Sequence, residues 1–313
     1  MSASIRHLLS SADFTASEIA DVLQLAHRLK ALRPQVLDGR ELALLFEKPS
    51  LRTRMSFEVG VRQLGGTTIY MAPQEVGIGE REAIKDVARA VSRYVDIVAM
   101  RTFGQQNVQE YAAYSTIPVV NALTGDEHPC QALADLLTLQ EKWGDVRGRS
   151  IAYVGDGNNV AASLVVTAAS LGMDVRIASP RGYALAEGLL TEAAVRSEET
   201  GGTFSAGNDI AAAVGGAEAV YTDVWTSMGQ EREAERRRID FSRLAGQQCP
   251  PVQRRARCAG HARPPAHRGE EITDEVIESP GSIVFDQVEN RTWAQAAVLV
   301  TLLGLAGNVP AAG

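Results

Sequence analysis

Nowhere in its 313 residues does the chain run to the roughly 18 consecutive apolar residues that a membrane helix needs, which excludes a helical membrane span. Its opening, "MSASIRHLLSSADFTASEIADVL", has no long apolar stretch behind a basic start, so no secretory leader is expected and the cytoplasm is the expected location. Cysteine is scarce. Cys130, Cys249 and Cys258 lack the paired spacing of a zinc ribbon or a redox motif, so neither a disulfide framework nor a bound metal is expected. Positive charge is in deficit as well. A formal charge of −7 argues against a general nucleic-acid binder, although an acidic chain can still gather arginines in one anion pocket. The sequence also contains no internal repeat.

What remains is the composition of a globular protein, with 45% hydrophobic residues, enough to give each of two ordinary domains a core. Ile19, Leu23, Ala26 and Leu29 recur at helical period after Thr15, whose hydroxyl can cap with Glu18 three residues on. The apolar run "ELALLFE" reads as a buried strand that delivers "KPSLRTRMSFEVGVRQLGG" to a loop and a second helix. Alternation continues through strand "TTIYM", helix "REAIKDVARAVSRYV", strand "DIVAMRT", helix "NVQEYAAYS", strand "IPVVNAL" and helix "CQALADLLTLQEKWG". Such alternation implies a parallel sheet covered by helices. The polar stretch "DVRGR" marks a domain boundary, beyond which "SIAYVGDGNNVAASLVVTAASLGMDVRIASP" restarts the pattern and "EAVYTDVW" adds a later strand. The expected fold is α/β with two domains, residues 1–145 and 150–288, each a mainly parallel sheet flanked by helices. Within 289–313, "TWAQAAVLVTLLGLAG" has helical spacing and is expected to close on the first domain. Between residues 246 and 265 neither period holds, and "GQQCPPVQRRARCAGHARPP" concentrates arginine with proline.

Chemistry gathers where strands end. "SLRTR", Ser50 to Arg54, stands where a helix begins, so free backbone N–H groups, hydroxyls and guanidinium forks together suit a phosphate. A plain capped helix with solvated arginines would produce the same spacing. Arg101 follows the strand "DIVAM" on the carboxyl edge, where open sheets bind ligands. "DEHPCQ" follows the next strand and offers His128 and Gln131 at i and i+3, able to polarise a carbonyl and to hold an amide. "GDGNNV" begins like a dinucleotide fingerprint, but Val160 stands where the third glycine belongs and "ASP" ends the next strand without the acidic residue a ribose needs. Asn158 and Asn159 instead offer amides at a helix head, suited to an amino-acid head group, and Asp223 of "DVWTSMG" could bind a cationic amine. The bland alternative there is a helix-capping Asp223 beside a packed Trp225.

In this order the segments resemble the aspartate/ornithine carbamoyltransferase family, with "DVWTSMG" resembling its ornithine-specific branch. "FEKPSLRTRMSFE" is similar to the family's Ser-Thr-Arg-Thr-Arg phosphate loop with Leu51 in place of the first Thr, and "MRT", "HPCQALADLLT", "GDGNNV" and "PAHRGEEITDEV" also match. The resemblance implies transfer of a carbamoyl group from carbamoyl phosphate to the side-chain amine of L-ornithine, in arginine metabolism, with no cofactor and no metal. Ser50, Leu51, Arg52, Thr53, Arg101, His128, Gln131 and Arg291 would bind carbamoyl phosphate, Arg52, Arg101 and His128 among them as catalytic groups. Asn159, Asp223, Ser227 and Met228 would hold ornithine. Family members assemble as homotrimers or multiples of trimers, and no nucleic-acid or membrane partner is implied.

Two departures stand out. Gly77 occupies a place where the family commonly has a Gln near carbamoyl phosphate. The family's His-Cys-Leu-Pro loop on the ornithine side is replaced by Ala262, Arg263, Pro264 and Pro265. That loss keeps open a carbamoyltransferase for another amine, such as acetylornithine or putrescine, or a carbamoyl phosphate-binding homologue that performs no transfer. The stretch also reads as one translated out of an ancestral frame. Codons permitted for Gln253 through Arg263, read one nucleotide later, can spell Asn-Ala-Glu-Leu-Asp-Ala-Leu-Val-Met-His, which resembles what the family carries just before Cys-Leu-Pro.

Overall fold

A computed structural model describes residues 5–77, 82–226, 231–245, 259–262 and 266–311. The chain divides into two compact units, residues 1–137 with 289–313, and residues 138–288.

In the first unit β1 (Glu41–Phe46), β2 (Thr67–Met71), β3 (Ile97–Arg101) and β4 (Val119–Leu123) form a parallel sheet in the order β2-β1-β3-β4. Six helices alternate with them: α1 (Ala16–Leu32), α2 (Leu51–Gln63), α3 (Pro73–Val76), α4 (Ile84–Val91), α5 (Gln105–Tyr114) and α6 (Pro129–Trp143), the last running on into the second unit. The reciprocal cap expected at α1 is present, Glu18 N–H donating to Thr15 Oγ1 at 3.3 Å and Thr15 N–H to Glu18 Oε2 at 2.9 Å. β3 and β4 are buried from end to end, as is β1 beyond Glu41, because helices cover both faces of a parallel sheet. One face packs Ala43, Leu45, Val98 and Met100 against Val87, Ala88 and Val91 of α4 and Val108, Tyr111 and Ala112 of α5. The expected helix over "REAIKDVARAVSRYV" is shorter than its sequence pattern, since Ala83 is extended with no side-chain cap and α4 begins at Ile84.

In the second unit β5 (Ser150–Val154), β6 (Asp174–Ala178), β7 (Thr203–Gly207), β8 (Ala219–Thr222) and β9 (Ala259–Ala262) form a second parallel sheet, ordered β7-β6-β5-β8-β9. The intervening helices are α7 (Asn159–Ser170), α8 (Glu187–Thr200), α9 (Ile210–Val214), α10 (Ala234–Ala245) and α11 (Asp274–Ile277). β9 corrects the sequence reading: its four residues lie within the stretch without period, yet pair with β8 from Ala219↔Ala259 to Thr222↔Ala262. Ladder hydrogen bonds are made by backbone, so a strand added at the end of a sheet needs no side-chain alternation.

The final helix α12 (Val284–Leu302) belongs to the first unit from Glu289 onward. Gly60 of α2 admits it: a Cβ there would stand 3.0 Å from Thr292 O and 3.3 Å from Thr292 Cγ2. Among the described residues no helix is long and apolar enough to cross a membrane.

Gly157, in the turn between β5 and α7, is equally constrained, since an added Cβ would meet Leu185 N at 2.5 Å and Tyr183 O at 2.8 Å. Backbone cannot yield as a flexible side chain can. Gly157→Ala is therefore expected to lower stability by about 1–3 kcal/mol, the usual range for overpacking, read as a lower urea midpoint at unchanged slope.

Candidate active site

Each phosphate-loop side chain in the first unit is placed by a strand end or a helix start. Ser50 caps α2, its Oγ accepting from Thr53 N–H at 3.4 Å and donating to Thr53 Oγ1 at 3.0 Å. Leu51 opens the helix with its side chain outward, 71% exposed, so only its backbone faces the loop's chemistry. Arg52 follows at partial burial, while Thr53 is buried. Arg54 turns away, bonded to Glu58 at 2.8 Å and lying 3.8 Å from the centroid of the Tyr70 ring. The α2 start therefore supplies a capped N-terminus, a hydroxyl pair and one partly buried guanidinium.

Arg101 ends β3 at a shift in register between Met100 and Arg101, and is buried. Its carbonyl accepts from Glu47 N–H at 2.8 Å, tying the β3 end to the loop that leads into Ser50. Glu47 also accepts from Phe103 N–H at 2.9 Å, and Lys48 Nζ lies 4.1 Å from the Phe103 ring centroid. Burial, with the Arg101 charge adding to it, holds the Lys48 ammonium below its ordinary pKa, and Glu47 opposes this. The loop after β4 carries Glu127 and His128. Ser10 Oγ and Ser11 N–H donate to the Glu127 carboxylate at 2.5 and 2.8 Å, and His128, fully buried, stands directly before α6. Beside it Cys130 is sealed off, its thiol pushed up to about 12 by burial.

Arg291 reaches this group from α12. Its Nη2 donates to Thr53 Oγ1 at 2.7 Å and its Nη1 to Gln131 Oε1, so one buried guanidinium joins α2 to α6. Gln131 Nε2 in turn donates to Asp135 Oδ1 at 2.8 Å. Ser50, Thr53, Gln131 and Arg291, chosen far apart in sequence, are thus linked through direct hydrogen bonds. Arg101 ends β3, and His128 lies in the loop that follows the neighbouring strand β4. Gly77 is described with a left-handed φ of 47°, but residues 78–81 after it lie outside the described residues.

The second unit carries a different chemistry. Asn158 caps α7, its Oδ1 accepting from Val160 and Ala161 N–H at 3.0 and 3.1 Å, while its Nδ2 donates to Asp223 Oδ2 at 2.9 Å. Asp223, buried just past β8, is therefore no helix cap; a neighbouring carboxamide orients it. Asn159 is the first residue of α7 and partly exposed. Trp225 is packed as the bland reading had it, stacked on Phe241 with ring centroids 5.7 Å apart. Ser227 and Met228 lie outside the described residues, as do Arg263, Pro264 and Pro265, and Ala262 ends β9.

Sequence reasoning missed Arg237. Its Nη1 donates to Asp156 Oδ2 at 2.6 Å and to Trp225 O at 3.1 Å, so α10 holds both the turn after β5 and the loop after Asp223. Burial pushes the Asp156 carboxyl upward, Arg237 pulls it back, and Asp223 adds to the upward push. Glu271, whose side chain is 1% exposed, is pushed up by burial with a smaller share from Asp223. Asp223 thus acts on both Asp156 and Glu271, while Arg237 pairs with Asp156 and Glu233, and His267 opposes the shift at Glu271. A cluster of carboxylates has the chemistry that attracts an ammonium group. The local signal is Glu233 four residues before Arg237, a pair that does not point to Asp156.

His267, Glu270 and Glu271 also gather their ligand atoms within 4.8 Å of one another. Bonds within the protein account for that grouping, since Glu270 accepts from Arg238 at 3.2 Å and Glu271 from His267 N–H at 2.5 Å.

A cluster of donors lies at the edge of one parallel sheet and carboxylates lie at the edge of another, and similarity to known proteins assigns the class. Residues 6–141 match the carbamoyl-P binding domain of aspartate/ornithine carbamoyltransferase, and residues 147–248 and 261–302 match its Asp/Orn binding domain. The chain belongs to the aspartate/ornithine carbamoyltransferase family. It is 45% identical over 312 residues to the anabolic ornithine carbamoyltransferase of Pyrococcus furiosus, covering 96% of each chain. It is 47% identical to the ornithine carbamoyltransferase of Acidothermus cellulolyticus, over 97% of this chain and 98% of that one. The solved ornithine carbamoyltransferase of Pyrococcus furiosus superposes with a TM-score of 0.89 at 43% identity, over 97% of this chain and 99% of that one. The family match breaks across residues 249–260, inside the stretch where the sequence loses its period.

Removing one partner from a buried ion pair leaves an uncompensated charge and typically costs about 3–5 kcal/mol. Arg237→Gln is expected to lower stability by about that amount, and the double variant Arg237→Gln with Asp156→Asn to recover most of it. Urea unfolding of the two singles and the double checks this; strictly additive losses would show that the pair is not coupled.

Proposed function

We propose that the chain transfers the carbamoyl group of carbamoyl phosphate to the side-chain amine of L-ornithine, giving L-citrulline and phosphate. The observation that carries this reading is the buried link from Ser50 and Thr53 through Arg291 to Gln131, which joins phosphate-type donors to a carboxamide suited to an amide. In this reading Ser50, the Leu51 backbone, Arg52 and Thr53 bind the phosphate, Arg101, His128 and Gln131 bind the carbamoyl group, and Arg291 completes the anion site from the final helix. Asp223, oriented by Asn158, takes an ornithine ammonium with Asn159, Ser227 and Met228. Residues 1–145 with 289–313 serve as the carbamoyl phosphate-binding domain and 150–288 as the ornithine-binding domain. A homotrimer or a multiple of it, working in the cytoplasm, completes the proposal.

Attack by the neutral side-chain amine forms a C–N bond and builds negative charge on the carbamoyl oxygen. Fixed donors at Arg101 and His128 stabilise that charge more than they stabilise the planar substrate, so they lower the barrier. The C–O bond to phosphate then breaks with its electron pair, the amine nitrogen loses a proton, and the leaving phosphate stays bound by Arg52 and the α2 N-terminus.

A second reading, binding of carbamoyl phosphate without transfer, is favoured by the break in the family match at 249–260 and by Ala262, Arg263, Pro264 and Pro265 in place of His-Cys-Leu-Pro. Citrulline formation by the purified chain decides between them, and substitution of acetylornithine or putrescine for ornithine in the same assay tests the amine.

Arg52→Ala is expected to remove a charge-assisted contact of about 1.5–3 kcal/mol and to weaken carbamoyl phosphate binding about tenfold or more, as read by calorimetric titration. An unchanged affinity would sink the assignment of Arg52. Asp223→Asn should impair ornithine binding and leave carbamoyl phosphate binding nearly intact. Equal loss of both ligands would indicate a folding defect in place of a ligand contact.

A further inference from the structure

We propose that Asp135 is a positioning residue for the carbamoyl group, acting through Gln131. The inference deepens the reading above and rests on it. Gln131 and Asp135 stand one helical turn apart on α6, and both are fully buried. A glutamine amide can in principle be turned either way, because its oxygen and nitrogen have nearly the same shape. Here the two ends face opposite charges. Gln131 Nε2 donates to Asp135 Oδ1 at 2.8 Å, and Gln131 Oε1 accepts from Arg291 Nη1. Turning the amide over would set its NH2 group against a guanidinium, which only donates, and its oxygen against a carboxylate, which only accepts. Both bonds would be lost together in a buried setting where unpaired polar groups cost most.

Asp135 therefore selects the orientation in which Oε1 faces the Arg291 side. A carbonyl-type oxygen has two lone pairs, and Arg291 uses one direction. The other is available to accept from the NH2 group of a carbamoyl ligand. The same guanidinium donates to Thr53 Oγ1 at 2.7 Å, which places that acceptor beside the phosphate loop. Asp135 touches neither ligand in this scheme. Its consequence falls on the carbamoyl half alone, because the phosphate half is bound by Ser50, Arg52 and Thr53.

Inorganic phosphate supplies the control, since it has the anion but no amide. Affinities of the full chain for carbamoyl phosphate and for inorganic phosphate are measured by calorimetric titration, in the parent chain and in Asp135→Leu, which removes the acceptor. Carbamoyl phosphate should weaken about tenfold, the effect of one misaligned buried hydrogen bond, while inorganic phosphate stays within about twofold. Asp135→Asn keeps an acceptor and should lose only about threefold for carbamoyl phosphate. That smaller loss should disappear in a Gln131→Met background, where there is no amide left to orient. Equal losses for the two anions, no loss in Asp135→Leu, or additive losses in Asp135→Asn with Gln131→Met would each overturn the inference. The last comparison stands even if Asp135→Leu fails to fold. A parent chain that binds both anions equally would instead overturn the functional reading, and this inference with it.

Discussion

A buried cation organises the first unit. Arg291 enters on α12, is almost wholly removed from water, and finds Thr53 on α2 and Gln131 on α6. A guanidinium in that position is tolerable only where its donors meet acceptors, so the three helices that supply them are held in one arrangement. Gly60 belongs to the same constraint, since a Cβ there would stand 3.0 Å from the carbonyl of Thr292, the residue directly after Arg291. Site and fold therefore share a cause. The bonds that join the helices are also the bonds that fix the Thr53 hydroxyl and the Gln131 carboxamide.

The second unit solves the opposite problem. Asp156, Asp223 and Glu271 are acidic groups placed where water is scarce, and each raises the cost of ionising another. Arg237 offsets one of them through Nη1, which also donates to the Trp225 carbonyl, while its Nε donates to Glu233 Oε2 at 3.0 Å. Asn158 performs a smaller version of the same task, satisfying two backbone N–H groups with its oxygen and orienting Asp223 with its nitrogen. A carboxylate in such a setting interacts more strongly with a cation than a surface carboxylate, already hydrated, does.

Local signals were the legible ones. The cap of Thr15 with Glu18, the capping serine at Ser50 and the buried strands of the first sheet depend on residues within a few positions of one another, and all are present. Arg237 shows where such reading stops. It lies in the run Arg236-Arg237-Arg238, three identical residues in sequence, yet its side chain is 8% exposed while those of its neighbours are 82% and 54% exposed. Packing against Asp156, 81 positions away, makes the difference, and no window of sequence contains it. Asp135 was hidden for another reason. It reads as one of several polar residues on α6, and its role exists only relative to the orientation of a neighbouring amide.

β9 marks the reverse failure, where the sequence suggests no order and a strand forms. Its pairing with β8 is made through backbone groups that every non-proline residue carries, so a segment whose side chains have lost the family's pattern can still complete the ladder. Chemistry is not preserved so cheaply. A thiol or an imidazole at positions 262 and 263 cannot be replaced by alanine and arginine without changing what the loop can do to an amine, whatever the backbone does. The fold of this chain is therefore more robust to the altered segment than its reaction with ornithine is. Carbamoyl phosphate binding, whose assigned residues all lie in the first unit, is the part of the function least exposed to that change.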